Sequence, residues 1–263
     1  MSGHLLHEGQ YLGQTLKSYE TDMISVKSTL HEKSKSNFHA HSNGYLSILL
    51  SGAYSEITTD SQKIISPSTI LYRPAHYQHQ NQFLSDTTKC LNIEFDQEWF
   101  HKHGVRSEKV NPQTRNIQQY PFVMRLLVDF LQHQKIDFFE ELLLQLITCE
   151  EDATSHRRQP WLGKLLRVLD NEVEQNHSLA ALSELVFVHP NYMSRVFKDY
   201  FGVTIGQYQM ERKIERATQK LFTERDSIAQ IASDCGFFDE SHFIRTFKSY
   251  HDITPHQFRL LLK

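Results

Sequence analysis

Two segments of the chain place the same basic residues at matching positions, 50 residues apart. Arg195 and Lys198 in the first segment correspond to Arg245 and Lys248 in the second. An arginine can donate two hydrogen bonds to the edge of a guanine in the major groove of DNA, whereas a lysine farther along a helix suits the phosphate backbone. These residue types at this spacing predict two helices that bind DNA.

Each segment also divides into an apolar and a polar helix face at a period of 3.6 residues. The apolar faces, which we expect to be buried, consist of Met193, Val196, Phe197 and Tyr200 in the first segment and Phe243, Phe247 and Tyr250 in the second. The polar faces, which we expect to contact bases, consist of Asn191, Ser194, Arg195, Ser241, His242, Ile244 and Arg245. We expect Lys198 and Lys248 to contact phosphates, and Ile244 to meet a thymine methyl group. The alternative is a solvated helix face, with Arg195 paired to Asp199 at (i, i+4) spacing.

These positions belong to a longer duplication. Residues 187–208 align without gaps on residues 237–258, and seven of the 22 aligned positions are identical. The identical pairs are Phe187 with Phe237, Arg195 with Arg245, Phe197 with Phe247, Lys198 with Lys248, Tyr200 with Tyr250, Thr204 with Thr254, and Gln207 with Gln257. Two copies are too few for a solenoid, which needs at least three repeats. The duplication indicates two copies of one small helical module.

Short helices joined by tight turns must position these residues. Apolar stripes at helical spacing predict helix-turn-helix motifs over residues 178–201 and 227–251. Pro190 suits the first turn of a helix, Gly236 suits the turn of the second motif, and Asp239 suits the residue that caps the following helix. Residues 205–222 predict one helix that bridges the motifs, and residues 161–173 predict a helix that closes the first core.

The N-terminal part has a different pattern. Short apolar or β-branched runs at residues 45–50, 53–58, 62–65, 68–73 and 89–95 are separated by turn residues, which predicts a small all-β barrel or sandwich. Residues 121–133 and 137–151 predict two helices whose broad apolar faces suit dimerisation. His39 and His41 precede a predicted strand, and on a strand their side chains would face the same side.

Composition and charge set the class of protein. The 263 residues are 39% hydrophobic and 22% charged, which is typical of a globular protein and long enough for two domains. Residues 1–155 hold 13 basic and 18 acidic residues, and residues 156–263 hold 15 and 13. The C-terminal half has the right sign for binding DNA, although the excess is small. With no apolar run of about 18 residues and no secretory signal, we expect a cytoplasmic protein with reduced thiols at Cys90, Cys149 and Cys235.

The C-terminal sequence resembles the AraC/XylS family of transcription regulators. The resemblance covers roughly residues 160–260 and rests on IAQIASDCGF at 228–237, SHFIRTFK at 241–248 and TPHQFR at 254–259. It implies one chain that presents two recognition helices to successive major-groove segments of promoter DNA, about 34 Å apart. It also implies recruitment of RNA polymerase, control by a small-molecule effector and a homodimer. Phe187, His189 and Asp252 depart from the family pattern, since glycine, serine and glycine are frequent there.

The N-terminal histidines resemble those of the cupin-type sensing barrel common in the same family. In metal-binding cupins, His-x-His, a nearby glutamate and a later histidine converge on one ion; His39, His41 and His79 match three of these positions, while Tyr45 stands at the glutamate position. We expect these four residues to line an effector pocket without a metal or other cofactor. Binding of zinc or copper by three imidazoles is the alternative.

Together these patterns predict a multidomain α+β protein that is a transcription regulator and not an enzyme. The expected domains are a cupin-like barrel (1–117), a helical dimerisation segment (118–151), a linker (152–159) and an all-α DNA-binding domain with two helix-turn-helix motifs (160–263). Two alternatives stay open: a metal-dependent cupin enzyme fused to a DNA-binding domain, and a regulator that needs no effector.

Overall fold

The computed structural model describes residues 4–107, 110–116, 121–133, 144, 160–223 and 225–262. The chain divides into two compact units, Met1–Thr148 together with Phe258–Lys263, and Cys149–Gln257. The domain limits 1–117, 118–151, 152–159 and 160–263 stay predictions. Apart from Leu144, the helix predicted at 137–151 and the linker lie outside the described residues, as does Cys149.

The N-terminal part consists mainly of β-strands, and all five predicted strands are present. The strands are β1 His4–Leu6, β2 Gln14–Glu20, β3 Ile24–Glu32, β4 His39–His41, β5 Gly44–Ser51, β6 Tyr54–Ile57, β7 Gln62–Ile65, β8 Thr69–Arg73, β9 Gln80–Phe83, β10 Thr87–Phe95 and β11 Gln113–Asn116. The apolar runs at 45–50 and 89–95 became β5 and β10, which are buried over almost their whole length. The β domain, as we call residues 4–116, therefore contains the predicted strands and several that the pattern did not show.

Two sheets and a parallel strand pair make up the β domain. The larger sheet has six strands in the order β11-β8-β5-β10-β3-β2, and the smaller has the order β7-β6-β9. All neighbours within these two sheets are antiparallel, whereas β1 runs parallel to β4. Ile48, Leu91 and Ile93 are completely shielded from solvent on the central strands of the larger sheet. Burial of each such side chain contributes about 1.5–3 kcal/mol to folding.

Two helical segments accompany these strands, one between β10 and β11 and one after β11. Helix α1, Gln97–Lys102, is capped by Asp96, whose carboxylate accepts a hydrogen bond from the Trp99 amide at 2.7 Å. Helix α2, Pro121–Val128, continues as a π-helical turn over Asp129–His133, which confirms the helix predicted at 121–133.

The C-terminal part is helical, as predicted. Its helices are α3 Pro160–Asn171, α4 Leu179–Val186, α5 Pro190–Phe201, α6 Ile205–Thr223, α7 Ile228–Asp234, α8 Glu240–His251 and α9 Pro255–Leu262. We call α4 with α5 the first helix pair and α7 with α8 the second helix pair. Helix α6 is the predicted bridge, and it packs against both α5 and α7. None of the helices among the described residues has the length and hydrophobicity to span a membrane.

The first helix pair packs on α3 around a leucine-rich core. Leu165 on α3, Leu182 on α4 and Phe197 on α5 are buried in one cluster, which confirms the predicted role of the 161–173 stretch. In the second helix pair, Ile231 on α7 and Phe247 on α8 are completely buried. Each pair thus turns one apolar face inward and leaves the opposite face of its second helix in solvent. Cys90 and Cys235 are buried and are not joined by a disulfide.

Candidate functional site

The first candidate DNA-contacting face lies on α5. The helix starts at His189, whose Nδ1 accepts a hydrogen bond from the Asn191 amide, and Pro190 occupies the first helical position as predicted. Met193 and Phe197 are completely buried, so the helix is fixed by its apolar side. On the opposite side, three of the predicted residues are exposed: Asn191, Arg195 and Lys198. Ser194 is half-buried.

Helix α8 repeats this arrangement in the second pair. Asp239 caps the helix by accepting a hydrogen bond from the His242 amide at 2.6 Å. Phe243 and Phe247 are completely buried. The predicted contact residues lie away from this apolar side: Ser241, Arg245 and Lys248 are exposed, and His242 and Ile244 are half-buried.

The identical residues of the duplication fall into structural and exposed groups. Thr204 and Gln207 form a capping box, in which the Thr204 amide donates to Gln207 Oε1 at 2.9 Å and the Gln207 amide donates to Thr204 Oγ1 at 3.2 Å. Thr254 and Gln257 form the same box with the same two distances. Phe197 and Phe247 are equivalent core residues. These identities are explained by folding, whereas the exposed arginine and lysine pairs are not.

The gapless alignment is wrong at its first pair. Phe187 ends α4 in the left-handed conformation, with φ of 56°, and its side chain is 91% exposed. Phe237 is 7% exposed and packs 4.9 Å from the Phe243 ring. The residue that takes the left-handed conformation in the second pair is Gly236, with φ of 71°. The second turn is one residue longer, so Phe187 corresponds to Gly236 in conformation.

Two tyrosines were also placed on the wrong side. Tyr200 and Tyr250 were expected to be buried, but they are 44% and 39% exposed. Both lie in the last turn of their helix, beyond the aromatic core residue three positions earlier. A tyrosine can cover apolar surface with its ring while its hydroxyl stays in water. Helical periodicity alone therefore did not distinguish a buried tyrosine from a partly exposed one.

The guanidinium of Arg195 lies over an aromatic ring. Its central carbon is 5.6 Å from the centre of the Tyr192 ring, one helical turn earlier. In the described part of the chain, Arg195 makes no ion pair with Asp199, so the surface-pair alternative is not supported. Cation–π contacts at exposed sites contribute about 0.5–1 kcal/mol. Tyr192 contacts Arg195 on the exposed face, and its (i, i+3) spacing from the arginine was the available sequence signal.

A buried lysine on the bridging helix connects the two helix pairs. Lys213 Nζ donates hydrogen bonds to Asn176 Oδ1 and to the Gly236 carbonyl oxygen, both at 2.6 Å. Its burial lowers the pKa of this ammonium group. One turn farther along α6, Arg216 pairs with Glu174 at 2.8 Å. Through these contacts α6 holds the turn of the second pair against the loop that precedes the first pair. The sequence did not predict this connection.

The predicted pocket residues of the β domain meet at its interior. His39 and His41 lie on β4 with their side chains buried, as expected for alternate residues of a strand, and His79 is buried beside them. The three histidines offer ligand atoms that all lie within 4.8 Å of one another. The Tyr45 hydroxyl is 3.2 Å from His79 Nε2. The structure thus brings together all four residues that the sequence assigned to this pocket.

Burial keeps this cluster uncharged. Loss of solvent lowers the pKa of His41 to about 3 and that of His79 to about 4, with neighbouring histidines adding to the effect. The pKa of His39 is also lowered by burial. Burial raises the pKa of the Tyr45 phenol, so its hydroxyl keeps its proton. At neutral pH the cluster therefore presents imidazole lone pairs and a hydroxyl.

Comparison with known proteins places similarity in the helical part. The helix-turn-helix domain family matches residues 182–260. The multiple antibiotic resistance protein MarA of Escherichia coli is 32% identical over 99 residues, which are 38% of this chain and 78% of MarA. The arabinose operon regulatory protein of Escherichia coli is 26% identical over 123 residues, which are 45% of this chain and 42% of that protein.

A solved structure is also similar to part of this chain. A transcriptional regulator with an AraC-type DNA-binding domain from Chromobacterium violaceum is 31% identical, and the match covers 40% of this chain and 93% of that one with a TM-score of 0.38. The region matched by the helix-turn-helix family contains both α5 and α8. The chain belongs to the AraC-type helix-turn-helix family of DNA-binding transcription regulators.

Proposed function

We propose that both helix pairs are helix-turn-helix motifs and that α5 and α8 enter successive major-groove segments of one promoter site. In this proposal Arg195 and Arg245 contact bases, and Lys198 and Lys248 contact phosphates. The observation that carries the proposal is the division of the duplicated residues. The repeated phenylalanines and capping boxes have structural roles, whereas the repeated arginines and lysines are exposed at equivalent helix positions.

The remaining base contacts in the proposal follow from the exposed faces. The residues proposed to contact bases beside the two arginines are Asn191, Ser194, Ser241, His242 and Ile244. The bridging helix supports simultaneous binding, because its 19 residues correspond to a rod of roughly 28 Å. The buried Lys213 contacts further restrict movement between the two pairs. A fixed spacing between recognition helices favours DNA sites with a fixed spacing between half-sites.

For the β domain we propose a cupin-like sensing role. A ligand bound at His39, His41, Tyr45 and His79 would change DNA occupancy only if it binds the active and inactive states with different affinity. Dimerisation through the 118–151 segment, recruitment of RNA polymerase and action in the cytoplasm belong to the same proposal. The relatives of this chain are regulators, and we propose no enzymatic reaction for it.

A selection of bound sequences from a random DNA library tests the DNA proposal directly. The full-length chain should enrich a site with two conserved segments whose centres are about one helical turn apart. Changing the spacing by half a turn should abolish specific binding, since it rotates one segment to the opposite side of the duplex. Enrichment of a single segment, or equal binding at all spacings, would show that only one helix pair contacts bases.

A further inference from the structure

The rings of two buried histidines are held in the tautomer that a metal ligand needs. His39 Nδ1 donates a hydrogen bond to the Asn37 carbonyl oxygen at 2.9 Å, and His79 Nδ1 donates to the Tyr77 carbonyl oxygen at 3.1 Å. Because a carbonyl oxygen only accepts, both Nδ1 atoms are protonated and both Nε2 atoms retain a lone pair. Histidines that bind metals usually make this second hydrogen bond, which fixes the ring orientation.

The backbone fixes the positions of the same two residues. His39 and His79 exchange a pair of hydrogen bonds, with N–O distances of 2.9 and 3.0 Å, in an isolated antiparallel bridge. His41 follows two residues after His39 on the same strand face. Nitrogen ligands around a tetrahedral ion with bonds of 2.0–2.1 Å are about 3.3 Å apart. The ligand atoms now lie within 4.8 Å of one another, so binding one ion requires the most distant pair to approach by about 1.5 Å.

A buried polar atom in the cluster lacks a partner. His41 Nδ1 is inaccessible to solvent and has no hydrogen-bond partner among the described residues. An unsatisfied polar atom of this kind destabilises the fold. Coordination of a metal ion through Nδ1 would give this atom a partner. The unpartnered His41 nitrogen and the two oriented imidazoles therefore fit a bound metal ion.

The size of the adjoining cavity favours a small occupant. The cavity is lined by the three histidines together with Tyr11 and Tyr45, and its volume is about 40 Å³. A water molecule takes up about 30 Å³, and pockets for organic ligands have volumes of about 300–1,000 Å³. The cavity can hold an ion with one water molecule, which matches a site with three protein ligands and one open position.

The donor types select the class of ion. Three neutral imidazoles suit zinc, copper or nickel, whereas magnesium, calcium and manganese prefer carboxylate and carbonyl oxygens. Tyr45 replaces the carboxylate, and its neutral hydroxyl donates a hydrogen bond to His79 Nε2. That hydrogen bond must break when His79 binds an ion, so Tyr45 competes with the ion for this lone pair.

We propose that His39, His41 and His79 bind one divalent transition-metal ion of the zinc class and that this ion is the ligand sensed by the β domain. The binding site stands on the geometry of the β domain alone. The sensing role rests on the proposed function as a DNA-binding regulator. The two parts are measured separately.

Zinc binding by the full-length, tag-free chain tests the site. After removal of metals with a chelator, competition against a chromophoric zinc chelator should give one high-affinity zinc per chain. His41→Gln should weaken this binding by at least about 100-fold, since even loss of a residue that only supports a metal ligand costs 10–100-fold. The matched control is His31→Gln, because His31 is a buried histidine that lines the same cavity outside the cluster. It should leave the affinity within about threefold of wild type.

Two further measurements keep the result decisive. His39→Gln serves as a second ligand variant if His41→Gln does not fold, and cobalt binding to the wild type should give the visible absorption of a tetrahedral site. Absence of stoichiometric zinc in the wild type, or equal affinities of His41→Gln and wild type, overturns the site. For sensing, zinc should change the affinity of the wild type for its selected DNA by at least fivefold and leave that of His41→Gln unchanged. Equal DNA affinity with zinc and with chelator overturns the sensing role, while DNA binding in chelator tests the regulator function independently.

Discussion

The ammonium group of Lys213 lies 2.6 Å from the carbonyl oxygen of Gly236; the lysine is buried and the glycine is half-buried. The lysine belongs to the bridging helix α6, and the glycine forms the turn of the second helix pair. Because the same ammonium group also binds Asn176, one side chain connects three segments of the helical part. The spacing between the two proposed recognition helices therefore depends on a contact that neither helix makes itself.

Lys213→Met should destabilise the helical part by about 1–3 kcal/mol, because it leaves the half-buried Gly236 carbonyl without its donor. Chemical unfolding followed by circular dichroism measures this loss. Lys220→Met on the same helix is the matched control, since Lys220 pairs with the partly exposed Asp234 and its loss should cost less than about 1 kcal/mol. Lys213→Met should also reduce discrimination between DNA sites of different spacing. Equal unfolding free energies for the two variants would contradict the role of Lys213.

In the turns of the two helix pairs, we expect introducing a glycine and removing a glycine to have opposite effects on stability. Phe187 is held in the left-handed conformation, which costs roughly 1–2 kcal/mol for a residue other than glycine, and its exposed side chain regains little of this. Phe187→Gly should therefore stabilise the protein by about 0.5–1 kcal/mol. Gly236→Ala should destabilise it by more than about 2 kcal/mol, because the added methyl group would lie 1.9 Å from the Glu174 carbonyl oxygen.

Gly206→Ala provides the control for this comparison. Gly206 lies in α6, and an added methyl group there meets no atom within 4 Å. The substitution should be neutral or stabilising by up to about 1 kcal/mol, as expected from helix propensity. The three unfolding free energies are measured under the same conditions. A destabilising Phe187→Gly, or a tolerated Gly236→Ala, would disprove the assignment of Phe187 and Gly236 to the same conformational position.

His251 predicts a dependence of stability on pH. It is 6% exposed at the end of α8, its ring centre is 4.5 Å from that of Phe247, and burial lowers its pKa to about 4. Between this value and the unfolded pKa of about 6.5, the unfolded chain binds a proton that the folded chain excludes. Stability from this residue is fully present above about pH 6.5 and is lost as pH falls toward 4.

His251→Leu should reduce the slope of unfolding free energy against pH in this window. The reduction should approach one proton, or about 1.36 kcal/mol per pH unit. Above about pH 6.5 the difference in unfolding free energy between variant and wild type should no longer depend on pH. Unfolding curves at half-unit pH steps measure both quantities. Parallel pH profiles for the two proteins would mean that His251 is protonated equally in the folded and unfolded states.

Local patterns predicted the helices and the central strands, because apolar periodicity reports directly which face is buried. Tertiary contacts were less accessible. The buried ammonium group of Lys213 donates to a carbonyl oxygen 23 residues away in the sequence. Nothing in the local sequence distinguishes this lysine from an exposed one. The exchange of hydrogen bonds between His39 and His79 likewise needs the fold, although residue type and resemblance had already grouped these histidines.

The duplication shows a second limit of sequence comparison. Identical phenylalanines at positions 187 and 237 aligned without a gap, yet the second turn is one residue longer and places them in different environments. The alignment was dominated by the helices α5 and α8, where the register is correct. A gapless alignment of this kind does not show that one turn is a residue longer than the other. Backbone conformation, not residue identity, identified Gly236 as the counterpart of Phe187.

Base preference measured for two arginine variants tests the central claim most directly. Binding of Arg195→Ala and Arg245→Ala should be compared with wild type on the selected site and on each of its single-base variants, with Arg167→Ala as a control that removes an exposed charge from α3. Each of the first two should lose about 1–3 kcal/mol and its preference at one base, in different half-sites. Arg167→Ala should keep every base preference. Wild-type base preferences in both Arg195→Ala and Arg245→Ala would contradict the account.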